Sequence, residues 1–272
     1  MSARSRLPPQ LPPGPPPSAS APGAEPPVAA PLLETQALSL HAAGRLLLDR
    51  LDWQVRPGER WCVIGRNASG KSTLLRALAG LAVPQRQGEV RWLGRRQADW
   101  PAADAAWARA YAPQQAVDRF PLSVQRLLDL STVRPGAQRA SAVLADLDAQ
   151  WLAQRGVMQL SGGERQRIAL AQCALQGAPL MLMDEPVSFQ DPGHQIQVAR
   201  WLARLVAPGT EAALVVTAHD VNWIVRTATH VLALWGDGRW RAGTVDQMID
   251  ATLLQQVYGC AWREVGGVWV AD

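Results

Sequence analysis

The clearest chemistry lies in one short run, Gly65-Arg66-Asn67-Ala68-Ser69-Gly70-Lys71-Ser72-Thr73, which fits the pattern G-x-x-x-x-G-K-[S/T]. Glycines let a backbone curl until successive N–H groups converge on one anion, and a helix that follows adds the positive end of its dipole. Lysine in this place is a point charge that can bridge neighbouring phosphates, and the next hydroxyl, Ser72, can ligate a divalent ion. Lys71 is also the only lysine among 27 basic residues. A bias toward arginine explains the others but not the exception, so position 71 calls for an ammonium and not a planar guanidinium.

A second group follows the apolar run Leu180-Met181-Leu182-Met183, which delivers Asp184 and Glu185 before Pro186 stops the element. In an open parallel sheet, ligands sit beyond the carboxyl ends of the strands, so both acids would face a bound phosphate. Asp184 would hold a metal directly or through water, and Glu185 would orient and polarise an attacking water. Alone, such a pair after a strand is more often a solvated turn; beside the Gly65–Thr73 loop, the site reading takes precedence.

A third group is Leu160-Ser161-Gly162-Gly163-Glu164-Arg165-Gln166-Arg167. Ser161 with Glu164 three residues on reads as a capping box at a helix start. A capping box does not require two glycines, whereas bare N–H groups at a helix start make an anion site. The chain thus offers two phosphate-sized cradles and one lysine. The simplest expectation is that the second cradle completes the site of another copy.

The elements that position these groups can be read from periodicity. Trp61 to Ile64 is a compact apolar strand ending at Gly65, and Ser72 to Leu81 has helical spacing. Upstream, Leu38, Leu40, Leu46 to Leu48, Trp53 and Val55 predict short strands separated by Gly44 and the Pro57-Gly58 turn. Residues 121–155 carry amphipathic helical patterns, and 212–216 forms another continuous apolar run. Runs apolar on both faces, alternating with helices, indicate a buried parallel sheet of the α/β class. Val231 to Leu234 and Arg239 to Arg241 flank Gly236-Asp237-Gly238 as a hairpin.

Composition bounds the rest. With 272 residues, 48% hydrophobic and 18% charged, the chain can bury a real core. Residues 1–31 are dominated by Pro, Ala, Gly and Ser and are expected to be a disordered, partly polyproline tail. Apolar runs fall short of a bilayer span and no secretory signal is visible, which predicts a cytosolic protein. The net charge of +4 is spread without a basic block, so no nucleic-acid partner is expected. Cys62, Cys173 and Cys260 lack metal spacing and are expected to be reduced, mostly buried thiols. Most of the 12 tryptophans fall in strand patterns as core or rim, with one or two free to meet a membrane partner.

The strings GRNASGKST, Gln114, LSGGERQRIAL, MLMDEP, SFQD and His219 occur in the order and spacing of the nucleotide-binding domains of ABC transporters. Residues 35–245 resemble that family, and LSGGE is specific to it among phosphate-loop proteins. The resemblance implies a phosphate-loop NTPase core with a mostly parallel sheet, an N-terminal antiparallel β-subdomain and a helical signature subdomain over about residues 115–175 of a domain spanning 32–272. It further implies a head-to-tail homodimer with two ATP molecules at the interface. Each would lie between the Lys71 loop of one subunit and Ser161, Gly162, Gly163 and Glu164 of the other. Gln114 resembles the glutamine that touches magnesium and senses the transmembrane partner, joining Ser72 and Asp184 as the Mg²⁺ set. Asp191 resembles the D-loop aspartate, and His219 the switch histidine near the γ-phosphate, completing a catalytic group with Lys71 and Glu185.

Three positions depart from the family pattern. Ala68 replaces a glycine, and its methyl is expected to require a negative φ. Gln190 replaces a leucine, which bears on coupling between the two sites. The aromatic residue that stacks on adenine is missing near positions 41–45, where His41 or Arg45 could substitute. Phe120 to Leu127 and Leu253 to Gly259 resemble segments of importers of iron-siderophores, haem and cobalamin. That likeness implies a separate membrane permease and substrate-binding protein, with the chain peripheral on the inner membrane face. A soluble ATPase of the same class acting on nucleic acid or ribosomes would carry two cassettes, coiled-coil insertions or basic arms, none of which is visible. A nucleotide-binding module with little turnover is opposed by Glu185 and His219 but kept open by Gln190.

Overall fold

The computed structural model describes residues 29–115, 121–132, 139–188 and 190–272. Nearly all of the expected proline-rich tail, together with Phe120 and Phe189, lies outside these residues.

The described chain opens with two alternating, half-buried strands, β1 (Leu33–Ala42) and β2 (Arg45–Val55), paired antiparallel with Leu33 opposite Val55 and Leu40 opposite Leu48. They are longer than the short strands predicted from the sequence. Irregularities between Thr35 and His41, with positive φ at Ala37 and Arg50, let the ladder continue where the simple alternation breaks. Next come β3 (Arg60–Ile64), α1 (Lys71–Leu78), β4 (Gln85–Trp92), β5 (Arg95–Arg96), α2 (Ala105–Ala108) and β6 (Arg109–Ala112). The helical stretch contains α3 (Val124–Ser131), α4 (Ala140–Asp146) and α5 (Gly162–Leu175). Then follow β7 (Leu180–Met183), α6 (Pro192–Leu205), β8 (Ala213–Thr217), α7 (Val221–Thr227), β9 (His230–Leu234) and β10 (Trp240–Thr244). The chain closes with α8 (Val245–Met248), α9 (Ala251–Tyr258), β11 (Trp262–Val265) and β12 (Val268–Ala271).

Two sheets carry the architecture. One is antiparallel in the order β2-β1-β4-β5; the other runs β10-β9-β3-β8-β7-β6 and is parallel except for the β9–β10 hairpin. Strands β3, β7, β8 and β9 of the second sheet are apolar on both faces, and the period of two sorts their side chains into two cores. Cys62, Ile64, Met181, Met183, Leu214 and Val216 pack toward the helices. Trp61, Val63, Leu180, Leu182, Ala213 and Val215 pack toward α1 and the antiparallel sheet. Trp201 and Trp92 are fully buried, and Trp92 satisfies its indole N–H on the Leu78 carbonyl at 2.8 Å. Cys62 and Cys173 are buried and Cys260 is half-buried, all three as free thiols. Burial pushes the Cys173 thiol up to about 12, far from reactive thiolate character.

Register decides where the chemistry lands. Val63 lies opposite Thr217, and Met183 opposite Val216. The carboxyl ends of β3, β7 and β8 are therefore level, and the loops after them open side by side. Among the described residues, no helix is long and apolar enough to cross a membrane.

Candidate functional site

The loop leaving β3 reaches α1 through Gly70, which sits at φ 102° and caps the helix without a side-chain hydrogen bond. The first amides of α1 therefore stay open toward the loop. A Cβ on Gly236, in the β9–β10 turn, would lie 2.8 Å from the Ser69 Cα, so that turn backs the loop at backbone distance. Ala68 corrects an expectation: its φ is 60°, not negative. The curl demands a left-handed residue there whatever its side chain, at a cost of about 1–2 kcal/mol. Ala68→Gly is expected to be neutral or to stabilise by about 1 kcal/mol, because the relieved strain exceeds glycine's added unfolded-state entropy. Ala68→Val should instead destabilise by more than about 1 kcal/mol. Denaturant titration checks both, and a glycine variant clearly less stable than the parent contradicts the strain argument.

Lys71 is only 6% exposed, and its ammonium donates to the carbonyls of Gly65 at 2.8 Å and Arg66 at 3.1 Å. Burial lowers its pKa, while the nearby charges of Glu185 and Asp184 pull the other way. The ammonium thus sits inside the curl of the loop.

Asp184 is buried, and its Oδ1 accepts from Ser72 Oγ at 3.1 Å and from Thr217 Oγ1 at 2.6 Å. Thr217 also accepts the Glu185 N–H at 2.8 Å, so one hydroxyl at the end of β8 ties down both acids. Glu185 holds a left-handed φ of 49°, a strained conformation of the kind found where surroundings over-determine a functional residue. Its Oε2 accepts from Gln114 Nε2 at 2.8 Å and Ser188 Oγ at 2.7 Å, and its Oε1 lies 2.8 Å from His219 Nε2. Burial alone would raise the Glu185 pKa, but the hydrogen bonds from Ser188 and His219 and the charge of Lys71 outweigh it and leave the carboxyl below its ordinary range. Lys71, Ser72, Gln114, Asp184, Glu185 and His219 are thereby brought into one group.

The second cradle lies elsewhere. Ser161 caps α5 in a complete capping box: its N–H donates to Glu164 Oε2 at 2.7 Å, and Glu164 N–H donates to Ser161 Oγ at 3.3 Å. Glu164 also pairs with Arg155 at 2.9 Å, so its carboxylate is engaged inside this chain. Gly162 differs: a methyl there would meet nothing within 4 Å, so the fold of one chain does not demand glycine at that position. Asp191 caps α6, with Pro192 in the first turn. Ser161, Gly162, Gly163, Glu164, Gln190 and Asp191 line a single cleft to which no residue of the Lys71 loop contributes. Gln190 donates to the Pro186 carbonyl at 3.4 Å, and its buried Oε1 has no hydrogen-bond partner among the described residues.

Four contributors were not singled out from the sequence. Thr217 was readable as the one hydroxyl closing an apolar strand, and Gln166, buried with its amide on the Glu185 carbonyl at 3.3 Å, as a polar residue inside the signature helix. Ser188 and His194 carried no such signal.

A level row of parallel strand ends, a curled loop around one buried lysine and a carboxylate pair opposite it define an ATPase of the phosphate-loop class. The sequence model of the ABC transporter family matches residues 48–188. The hemin import ATP-binding protein HmuV of Streptomyces coelicolor is 39% identical over 245 residues, covering 86% of each chain. The cobalamin import ATP-binding protein BtuD of Halobacterium salinarum is 34% identical over 76% of this chain and 53% of its own length. A solved ATP-binding subunit of an ABC transporter superposes with a TM-score of 0.70 at 25% identity, covering 84% of this chain and 93% of that one. The chain belongs to the ABC transporter family and is an ATP-binding ATPase subunit.

Proposed function

We propose that two copies of this chain close head to tail around two ATP molecules and drive uptake of a metal chelate of the haem, siderophore or cobalamin kind through a separate membrane permease, fed by a substrate-binding protein. The observation that carries the dimer is the split site. The single buried lysine and the catalytic carboxylates form one group, and the Ser161-Gly162-Gly163 corner, with room above Gly162, forms another.

In this reading the amides of residues 65–73 and the Lys71 ammonium bind the β- and γ-phosphates, and the Ser161 corner of the twin closes over the γ-phosphate. Ser72 and Asp184 fit Mg²⁺: a hydroxyl and a carboxylate 3.1 Å apart are hard oxygen donors, and this ion takes few protein ligands beside phosphate and water. Gln114, which donates to the neighbouring Glu185 at 2.8 Å, is the third member of the proposed set. Bound there, the ion would neutralise charge on the phosphates. Glu185, ionised and held by its three donors, orients the attacking water and accepts its proton; His219, on the same carboxylate, reports the γ-phosphate. Arg45, whose Nη2 donates to the Gly236 carbonyl at 3.3 Å beside the loop, offers a flat cation for the adenine face. Asp191 meets the twin across the interface. Residues 115–175 form the permease-facing subdomain, where Trp151 is exposed, and the assembly lies on the cytoplasmic face of the membrane.

The substrate class rests on the names of the relatives, hemin and cobalamin importers, and on the likeness of the 120–127 and 253–259 segments. Removing the gene from its host and measuring uptake of labelled hemin, a ferric siderophore and cobalamin tests it. Loss of one of the three with the others intact is expected; unchanged uptake of all three overturns the substrate class.

A further inference from the structure

The cleft that holds the Ser161 corner also holds a histidine with a defined job for each ring nitrogen. His194 Nδ1 lies 2.6 Å from Asp191 Oδ2, and its Nε2 lies 3.0 Å from Arg167 Nη1. A guanidinium only donates, so Nε2 must offer its lone pair; an ionised carboxylate only accepts, so Nδ1 must carry the proton. The contacts therefore specify one neutral tautomer, and the ring bridges two elements distant in sequence. Arg167 belongs to α5, six residues after Ser161, and also donates to the Asp148 carbonyl at 3.2 Å, anchoring that helix to the turn after α4. Asp191 and His194 belong to the start of α6, where the His194 backbone N–H separately donates to Asp191 Oδ1 at 3.1 Å. The cap of α6 thus joins the Asp191 carboxylate to the His194 backbone N–H, which leaves the imidazole free for the bridge. Ser161, Gly162, Gly163, Asp191 and His194 line the same cleft.

We propose that His194 is a positioning residue that locks the Asp191 turn to the signature helix, so that both parts of the surface presented to the twin's nucleotide move as one body. The inference rests on the head-to-tail reading above. Without the bridge, Asp191 and the Ser161 corner must be brought into register separately each time the dimer closes, and dimer closure is weakened. Nucleotide binding to a single chain, which uses the Lys71 loop, is untouched.

The test uses the full chain carrying Glu185→Gln, so that ATP is bound without being consumed. His194→Asn keeps an amide where Nδ1 lies, and so keeps the Asp191 bond, but cannot reach Arg167. His194→Gln reaches Arg167 but not Asp191. Arg167→Gln removes the other end. Each is expected to leave the melting temperature within about 2 °C of the parent and single-chain ATP affinity within about twofold, yet to weaken ATP-driven dimerisation, read by sedimentation, by tenfold or more. Combining His194→Asn with Arg167→Gln should cost no more than the worse single variant, since either breaks the same bridge. Losses that multiply in the double variant, or a dimerisation constant unchanged by His194→Asn, overturn the proposal. A purely structural role would lower the melting temperature together with affinity and is overturned by the expected split. A parent that stays monomeric at saturating ATP overturns the head-to-tail reading itself, and this inference with it.

Discussion

Replacing Lys71 with alanine is expected to weaken ATP binding about 100- to 1,000-fold, or about 3–4 kcal/mol. The ammonium is buried within the loop and bonds its carbonyls, so polyphosphate oxygens arriving there meet a cation already stripped of most of its water. Charge-assisted hydrogen bonds made from such a position are the strong ones. The chain has no second lysine to stand in, and Arg66, the nearest basic residue in the loop, is exposed. Lys71→Arg should not rescue binding, because a planar fork is too large for a curl sized for one ammonium. Calorimetric titration with a slowly hydrolysed ATP analogue reads the effect. Affinity within about threefold of the parent would remove the loop from its role.

Turnover should fall about 100- to 10,000-fold in Glu185→Gln while ATP binding is retained and the closed dimer accumulates. The amide keeps the size of the carboxylate and can still accept from His219 or Ser188, but it cannot take a proton from water. The surroundings of the carboxylate explain why the native group is the base: burial raises its pKa, but the hydrogen bonds from Ser188 and His219 and the charge of Lys71 outweigh it and hold the folded-state value below that of an ordinary glutamate. The sign follows directly. A depressed carboxyl pKa adds stability that is present above the unfolded value, near 4.3, and is lost only as pH falls through the lower folded value. Glu185 is therefore fully charged across the neutral range, and no loss of turnover between pH 6 and 8 arises from it. Steady-state phosphate release in the presence of the permease checks the prediction, and a Gln variant retaining a tenth or more of the parent rate would place the base elsewhere.

Much of the site was legible because its parts are local strings. Gly65 to Thr73, Asp184-Glu185 after a four-residue apolar strand, and the Ser161–Glu164 capping box each announce a geometry that neighbours along the chain can build. The long-range assembly was not legible. Thr217 becomes the keystone of the acid pair only because β7 and β8 run in parallel register, and His194 acquires its partners only when α5 and α6 come together. Ala68 shows the converse: the sequence rule that alanine avoids positive φ is sound, but closure of the loop overrides it at one residue. The β11–β12 hairpin was also missed, although Gly266-Gly267, with φ of 59° and 80°, is a two-residue turn of the kind that closes hairpins. Glu164 forms the capping box read from the sequence, while its pairing with Arg155 was not legible there, because the two meet only once the chain folds.

A chain whose solitary ε-amine lies inside the curl of its own phosphate-binding loop carries a built-in gauge of occupancy. An acylating reagent finds one side-chain amine to modify, and any molecule resting over it casts a shadow that mass spectrometry can count. Burial also tilts that amine toward its uncharged, nucleophilic form. Fuel loading can thus be followed on the untouched sequence, with no dye or engineered handle.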